Sequence, residues 1–189
     1  MFQPHHSPLP HPPVHPPIAS SLDLPRYLTD TWGQRIQQIF PAEAVALPLA
    51  TWALAEHLRG TDVLWFIDNE AAASAGIRAS SGLPEVDVMV QAAHWMWMEL
   101  DIRVWIEWID SLSNPSDGLS RAGWEDAWTL RQQWQRMHVG DPPWSSDLNT
   151  PHALTRILLE DIGRREGTLE KLAAGLRPCR QPSARTNVF

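Results

Sequence analysis

Three acidic side chains occupy positions from which they could bind divalent metal ions together. Asp68 ends a predicted strand, Asp117 follows a second predicted strand after a short polar loop, and Glu43 lies on a predicted helix ahead of both. Ligands of α/β sheets gather at the carboxyl ends of the strands, so these carboxylates could converge there. Mg²⁺ prefers oxygen ligands, and two such ions can stabilise the attacking and leaving oxygens of a phosphodiester. Spacing alone makes this a weak indication of metal-dependent hydrolysis.

Each of these acids also has an ordinary structural explanation. Asp is a good N-cap, so Asp68 could cap a helix that starts at Asn69. Glu43 falls in the predicted first turn of its helix, where negative charge is favourable. Asp117 could be a loop or cap residue. Capping and metal binding are compatible for Asp68, so the residue types leave both roles open.

The elements that must position the acids alternate between helix and strand. Strands are predicted over 62–68 and 102–109, and helices over 41–59, 69–80, 85–100, from Asp117 onward and over 151–174. Pro48 should kink the first helix, because it removes a hydrogen bond and clashes with the preceding turn. The order predicts an α/β fold with a parallel sheet and right-handed crossovers. Two strands are too few for a stable sheet, so part of a sheet is expected to be missing.

Apolar periodicity and tryptophans indicate the core. Val86, Val90, Ala93, Trp97 and Leu100 repeat at helical spacing and form one stripe of the helix over 85–100. The chain has eleven tryptophans. Those in predicted helices and strands are assigned to the core rather than to a stacking surface for single-stranded nucleic acid: Trp52, Trp65, Trp97, Trp105 and Trp108. A further stripe is predicted on the helix that begins at Asp117: Trp124, Trp128 and Trp134.

Short motifs surround all three acids. Gln38 and Glu43 fit the pattern Q-x-x-x-x-E-x-x-A, residues 66–69 read FIDN, and residues 114–121 read NPSDGLSR. Together they resemble the ribonuclease H-like domain of retrotransposon reverse transcriptases, in which these motifs carry the second, third and fourth catalytic acids. The resemblance covers roughly residues 25–122, and the FIDN and NPSDGLSR motifs are fairly specific in combination.

The resemblance implies a catalytic metal centre. Glu43, Asp68 and Asp117 would be the catalytic residues and the ligands of Mg²⁺ or Mn²⁺, and the substrate would be an RNA–DNA hybrid or another nucleic acid. Substrate-binding roles are implied for three neighbouring polar residues: Asn69, Ser120 and Arg121. The alternatives are a turn role for Asn69 and a solvated position for Arg121.

The resemblance also implies three antiparallel strands and a first catalytic Asp ahead of Glu43. Residues 1–24 are rich in proline and have no alternating strand pattern, and neither Asp23 nor Asp30 is assigned as that ligand. We therefore expect a partial ribonuclease H-like fold that lacks the N-terminal three-stranded meander, with weak or absent hydrolysis. The alternative is a non-catalytic module that binds nucleic acid or protein, or a retroelement relic without function. An unpaired edge beside the strand of Asp68 would favour self-association.

Composition narrows the class of protein. The net charge of −7 argues against a free-standing nucleic-acid binder, although an enzyme that holds cations among carboxylates can be acidic overall. The single cysteine, Cys179, excludes disulfides within the chain and suits a reducing compartment, the nucleus or cytoplasm. No apolar run approaches the ~18 residues of a membrane span, so no membrane association is expected. Three regions are predicted: a disordered Pro/His-rich tail over 1–24, the partial domain over 25–140, and an extension over 141–189 that is helical and then disordered.

Overall fold

The structure is a computed structural model that describes residues 18–24, 26–32, 39–131, 134–144, 150–173 and 186–188. Gln38, Cys179 and most of the predicted N-terminal tail lie outside these ranges. None of the helices within them is long and apolar enough to cross a membrane.

Helices and parallel strands alternate along the described chain. The helices are α1 (Arg26–Trp32), α2 (Ile39–Ala53), α3 (Ala55–Leu58), α4 (Glu70–Arg78), α5 (Pro84–Glu99), α6 (Asp117–Ala122), α7 (Ala127–Arg131) and α8 (Pro151–Ala173). The strands are β1 (Ile18–Ala19), β2 (Asp62–Ile67), β3 (Arg103–Trp108), β4 (Gln135–Arg136) and β5 (Thr186–Val188). The mixed α/β class with parallel pairing is therefore confirmed, whereas the ribonuclease H-like fold stays a prediction.

The main sheet has the order β3-β2-β5, and every pair in it is parallel. Asp62 to Ile67 of β2 pair in register with Arg103 to Trp108 of β3, so both strands end at the same edge of the sheet. The remaining strands, β1 and β4, form a separate parallel pair. Because β2 and β3 share their carboxyl ends, the loops that follow them, with Asp68 and Asp117, lie on one side of the molecule.

One layer of helices covers one face of the main sheet. Val63, Trp65 and Ile67 of β2 point into the core, where α2, α4 and α5 pack. All five members of the predicted α5 stripe are buried, which confirms it. Helix α8 packs on the outer side of α5 and contributes Leu154, Leu158 and Ile162 to the same core. The predicted C-terminal extension thus shares the core of the domain.

Helix α2 differs from the predicted helix over 41–59. It begins at Ile39, continues through the buried Pro48 and ends at Ala53, and a break at Leu54 separates it from α3. Pro48 has no N–H to donate within the helix. Three residues further on, the Thr51 hydroxyl donates to the Leu47 carbonyl, 2.8 Å away. The earlier start moves Glu43 beyond the first turn, so the favourable interaction with the helix N-terminus does not explain this residue.

The edge of the sheet differs from the prediction. We expected an unpaired edge beside β2, but β5 pairs there in parallel with Val63, Leu64 and Trp65. The expectation was wrong because it treated the end of the chain as disordered, and Thr186–Val188 instead form a strand. Residues 174–185, which belong to the same prediction, lie outside the described ranges. At the other end, residues 18–24 include β1, and Leu22 and Leu24 pack against the smaller apolar cluster.

The tryptophan assignments were partly wrong. Trp52, Trp65 and Trp97 are buried as predicted, but Trp105 and Trp108 are 67% and 52% exposed. Both exposed residues belong to β3, which among the described residues has a neighbouring strand on one side only. The predicted single helix after Asp117 is also wrong, because α6 ends at Ala122 and a 3₁₀ turn over Gly123–Glu125 separates it from α7. Trp124, Trp128 and Trp134 therefore belong to three different segments.

Candidate metal-binding site

Asp68 follows β2 directly and is half-buried. Its carbonyl accepts a hydrogen bond from Nε1 of Trp108, 3.2 Å away, and the Ile109 N–H donates to the Ile67 carbonyl over 3.0 Å. These bonds hold the end of β2 against the end of β3. The N-cap of α4 is Asn69, whose Oδ1 accepts from the Ala72 N–H over 3.0 Å. Asn69 rather than Asp68 is therefore the N-cap of α4, and capping does not account for the carboxylate of Asp68.

Asp117 is the first residue of α6 and is positioned by the turn before it. Oδ1 of Asn114 accepts from the N–H of Ser116 over 3.0 Å and from its hydroxyl over 2.8 Å. The Asp117 N–H donates to the Asn114 carbonyl, and the Ser120 hydroxyl donates to the Asp117 carbonyl. Such turns built on an Asn side chain are a common way to start a helix. The NPSD sequence thus fixes the backbone from which the Asp117 carboxylate projects.

Glu43 is the acid whose protonation is most affected by its surroundings. Burial raises its pKa above the ordinary value of a glutamate, and the charges of Asp68 and Asp117 raise the pKa further. Each of these effects disfavours the charged carboxylate. Because both aspartates act on Glu43, acids that are 25 and 49 residues apart in sequence lie near enough in the fold to influence the pKa of this glutamate.

The side chains of Glu43, Asp68 and Asp117 offer carboxylate oxygens, the type of ligand that a hard divalent cation prefers. Carboxylate oxygens suit Mg²⁺ and Mn²⁺. Burial raises the pKa of Glu43 most, and a bound cation would offset the charges of Asp68 and Asp117 that raise it further. As the side chains stand, no three Asp, Glu, His or Cys groups of the described ranges are close enough together to chelate an ion. Binding therefore requires the carboxylates to turn towards each other.

The residues expected to bind substrate make contacts within the protein. Asn69 caps α4, the Ser120 hydroxyl donates to a backbone carbonyl, and Nε of Arg121 donates to Oδ1 of Asp117 over 2.8 Å. Arg121 is 72% exposed, so the rest of its guanidinium faces solvent. The free N–H groups of the Arg121 guanidinium and the side-chain NH₂ of Asn69 can donate to an anionic substrate while these bonds persist, whereas the Ser120 hydroxyl already donates its single proton.

Aromatic and basic side chains meet next to α6, and the reasoning from sequence grouped the three tryptophans among them on one helix but did not include Arg136. The guanidinium of Arg136 lies over the ring of Trp124, 4.4 Å from its centroid, and the rings of Trp128 and Trp134 meet edge to face at 5.2 Å. These residues join the 3₁₀ turn, α7 and β4. Because they lie in separate segments rather than on one helix, helical periodicity did not indicate the contact between Arg136 and Trp124.

Comparison of the chain with family models, curated proteins and solved structures finds no significant match. The likeness to ribonuclease H-like domains consequently rests on the motifs around the three acids.

Proposed function

We propose that this chain is a retroelement-derived ribonuclease H-like domain in which Glu43, Asp68 and Asp117 are the remaining ligands of a Mg²⁺ or Mn²⁺ centre. The observation that carries the proposal is the raised pKa of Glu43, caused by burial and by the charges of the two aspartates. Two aspartates and a glutamate whose motifs resemble one nuclease family are thus linked by the effect of the aspartates on the glutamate. Bound metal ions would supply an activated water and stabilise the leaving oxygen of an RNA strand in an RNA–DNA hybrid.

The proposal includes weak or absent hydrolysis. In the ribonuclease H-like family, the first catalytic acid lies on an antiparallel three-stranded meander. The described ranges contain no such meander. Arg121 engages one oxygen of Asp117, and Glu43 favours its protonated form more than an ordinary glutamate. Misplacing reacting groups by 1 Å can cost about 10²-fold in rate. A site with an incomplete ligand set should therefore bind metal weakly and position water poorly.

Metal binding and hydrolysis should be tested separately. Isothermal titration with Mn²⁺ and thermal unfolding in its presence are expected to show weak binding by the wild-type chain and much less by Asp68→Asn. Asp110→Asn is a matched control, because Asp110 is an exposed acid in the loop after β3. Equal Mn²⁺ binding by wild type and Asp68→Asn would contradict the proposed centre.

Hydrolysis is tested with a labelled RNA–DNA hybrid, first in Mg²⁺ and then in Mn²⁺. The expected result is slow cleavage that Asp68→Asn abolishes, or no cleavage by a protein that still binds Mn²⁺. Cleavage at the rate of a complete enzyme would contradict the proposed incomplete centre.

A second candidate function is nucleic-acid binding without cleavage, and the cluster of Trp124, Trp128, Trp134 and Arg136 favours it. Aromatic rings and arginines together form the usual platforms for single strands, and Trp128 and Arg136 are exposed. Binding of labelled single-stranded RNA that Trp128→Ala weakens, in buffer with a metal chelator, would support this function. Leu130→Ala is the control, because it removes an exposed apolar side chain from the same helix.

A further inference from the structure

The outer edge of β3 has no neighbouring strand within the described chain. In the sheet order β3-β2-β5, β2 lies on one side of β3, and β3 ends the sheet on the other. Alternate residues of this six-residue strand therefore present their N–H and C=O groups along the edge. Such an edge is a template for pairing with another strand.

The backbone groups that face outward can be identified from the bonds to the β2 side. The N–H groups of Arg103 and Ile109 donate to the carbonyls of Thr61 and Ile67 over 2.9 and 3.0 Å. Alternate residues of a strand direct their backbone groups to opposite sides, so the odd-numbered residues face β2. Val104, Ile106 and Trp108 consequently direct their N–H and C=O groups to the open edge.

Apolar side chains lie along the same edge. Ile77 of α4, Met98 of α5 and Trp105 of β3 are 61%, 71% and 67% exposed. They line a cavity of about 370 Å³, together with Val104, Ile106 and His94. Exposed apolar groups that cluster around a cavity mark contact surfaces more often than groups scattered singly.

We infer that β3 pairs antiparallel with β3 of a second copy of this chain, with a two-fold axis at Trp105. An antiparallel pair around this axis sets Val104 opposite Ile106 of the other copy. Both residues direct their backbone groups outward, so they form reciprocal N–H to O=C bonds on each side of the axis. The two Trp105 residues face each other as a non-hydrogen-bonded pair, in which side chains approach most closely.

The charges of β3 are complementary in this register. Arg103 of each copy lies opposite Glu107 of the other, and the symmetry repeats the pair. Both side chains are exposed on the face of the sheet that also bears Trp105. Within one copy, Arg103 pairs with Asp62 through Nε and Glu107 accepts a hydrogen bond from Nε1 of Trp105 over 3.2 Å, so the contacts across the axis would use the remaining guanidinium N–H groups and the second carboxylate oxygen. An axis at Val104 would set Arg103 opposite Trp105, and an axis at Ile106 would set it opposite Ile109. Charge complementarity therefore selects the axis at Trp105 and a second copy as the occupant of the edge.

Charge reversal tests the register in sedimentation velocity over a range of concentrations. Glu107→Arg sets arginines opposite each other, and Arg103→Glu sets glutamates opposite each other, so each variant should dimerise about tenfold more weakly than wild type. An equimolar mixture of the two variants restores both opposite-charge pairs and should dimerise as wild type does. Leu130→Lys, an exposed apolar residue of α7, is the control and should leave dimerisation unchanged.

A disulfide tests the axis independently. Trp105→Cys in a Cys179→Ser background should form an intermolecular disulfide on mild oxidation, because Cα atoms of non-hydrogen-bonded antiparallel pairs lie about 4.5 Å apart, within disulfide range. Glu107→Cys in the same background should form much less, since its opposite residue is Arg103. A wild-type chain that stays monomeric up to millimolar concentration would overturn the inference. Equal dimerisation of the mixture and its separate components would also overturn it.

Discussion

Nε of Arg121 donates to Oδ1 of Asp117 across 2.8 Å, so an arginine predicted to bind substrate pairs with a predicted metal ligand. The two residues are four positions apart on α6 and therefore share one helix face. The guanidinium supplies positive charge to the acidic site that a metal ion would otherwise supply. If Asp117 binds the proposed metal ion, Arg121 competes with that ion for its carboxylate.

Replacing Arg121 with Gln should tighten Mn²⁺ binding. Exposed pairs at this helical spacing contribute about 0.3–0.5 kcal/mol, so the expected gain is about twofold in the dissociation constant. Isothermal titration measures it directly. Arg156→Gln is the matched control, because Arg156 forms an exposed pair with Glu160 at the same spacing on α8. Weaker Mn²⁺ binding by Arg121→Gln would show that the arginine supports the site rather than competing with the metal.

Glu43 should make stability depend on pH. Its pKa is raised in the folded state by burial and by Asp68 and Asp117, so the folded state binds the proton more tightly than the unfolded state. Its contribution to the free energy of unfolding is fully present below the unfolded pKa and declines as pH rises through the folded pKa.

Glu43→Gln should remove that dependence. In metal-free urea unfolding, the variant is expected to gain stability relative to wild type as the pH rises from the ordinary glutamate range to neutrality. Glu160→Gln, an exposed glutamate of α8, should show no such relative gain. A parallel pH profile for wild type and Glu43→Gln would contradict the predicted coupling.

Asn69→Ala should destabilise the protein by about 1 kcal/mol, because it removes the N-cap of α4. Asn69→Ser should retain most of the stability, since serine is a comparable N-cap. Urea unfolding of both variants distinguishes this structural role from the substrate-binding role that the motif implies. Equal loss of stability in both variants would show that the carboxamide does more than accept the Ala72 N–H.

Gly76→Ala should destabilise the contact between α4 and β3. A Cβ atom there would lie 2.8 Å from Cδ1 of Ile106 and 3.2 Å from Cδ1 of Leu47, both of which are buried side chains. Overpacking of this kind costs about 1–3 kcal/mol, which outweighs the gain of about 0.5–1 kcal/mol from replacing a glycine within a helix. Gly163→Ala is the control on α8, where a Cβ atom meets nothing within 4 Å. That change should stabilise its helix by up to about 1 kcal/mol. Thermal unfolding should therefore shift in opposite directions for the two variants.

Local patterns were sufficient to predict the elements around the site. The predicted strand over 62–68 is β2 with one residue fewer, the predicted helix over 85–100 is α5 shifted by one residue, and the helix over 151–174 is α8. Each has a strong signal within its own residues: an apolar run that ends at an acid, or apolar residues at helical spacing. The turn before Asp117 was likewise predictable in part, because Asn, Pro and Ser favour turns wherever they occur.

The interaction among the three acids and the edges of the sheet depends on contacts between distant residues. The sequence by itself determined which residues could bind a metal ion and which segments are helix or strand, because side-chain chemistry and periodicity are local properties. Only the tertiary structure decided that Asp68 and Asp117 act on Glu43, that Arg121 binds Asp117, and that β5 covers one edge while β3 ends the sheet. Pairing of β5 with β2 joins residues more than 120 positions apart, and no local pattern encodes which strand will occupy a given edge.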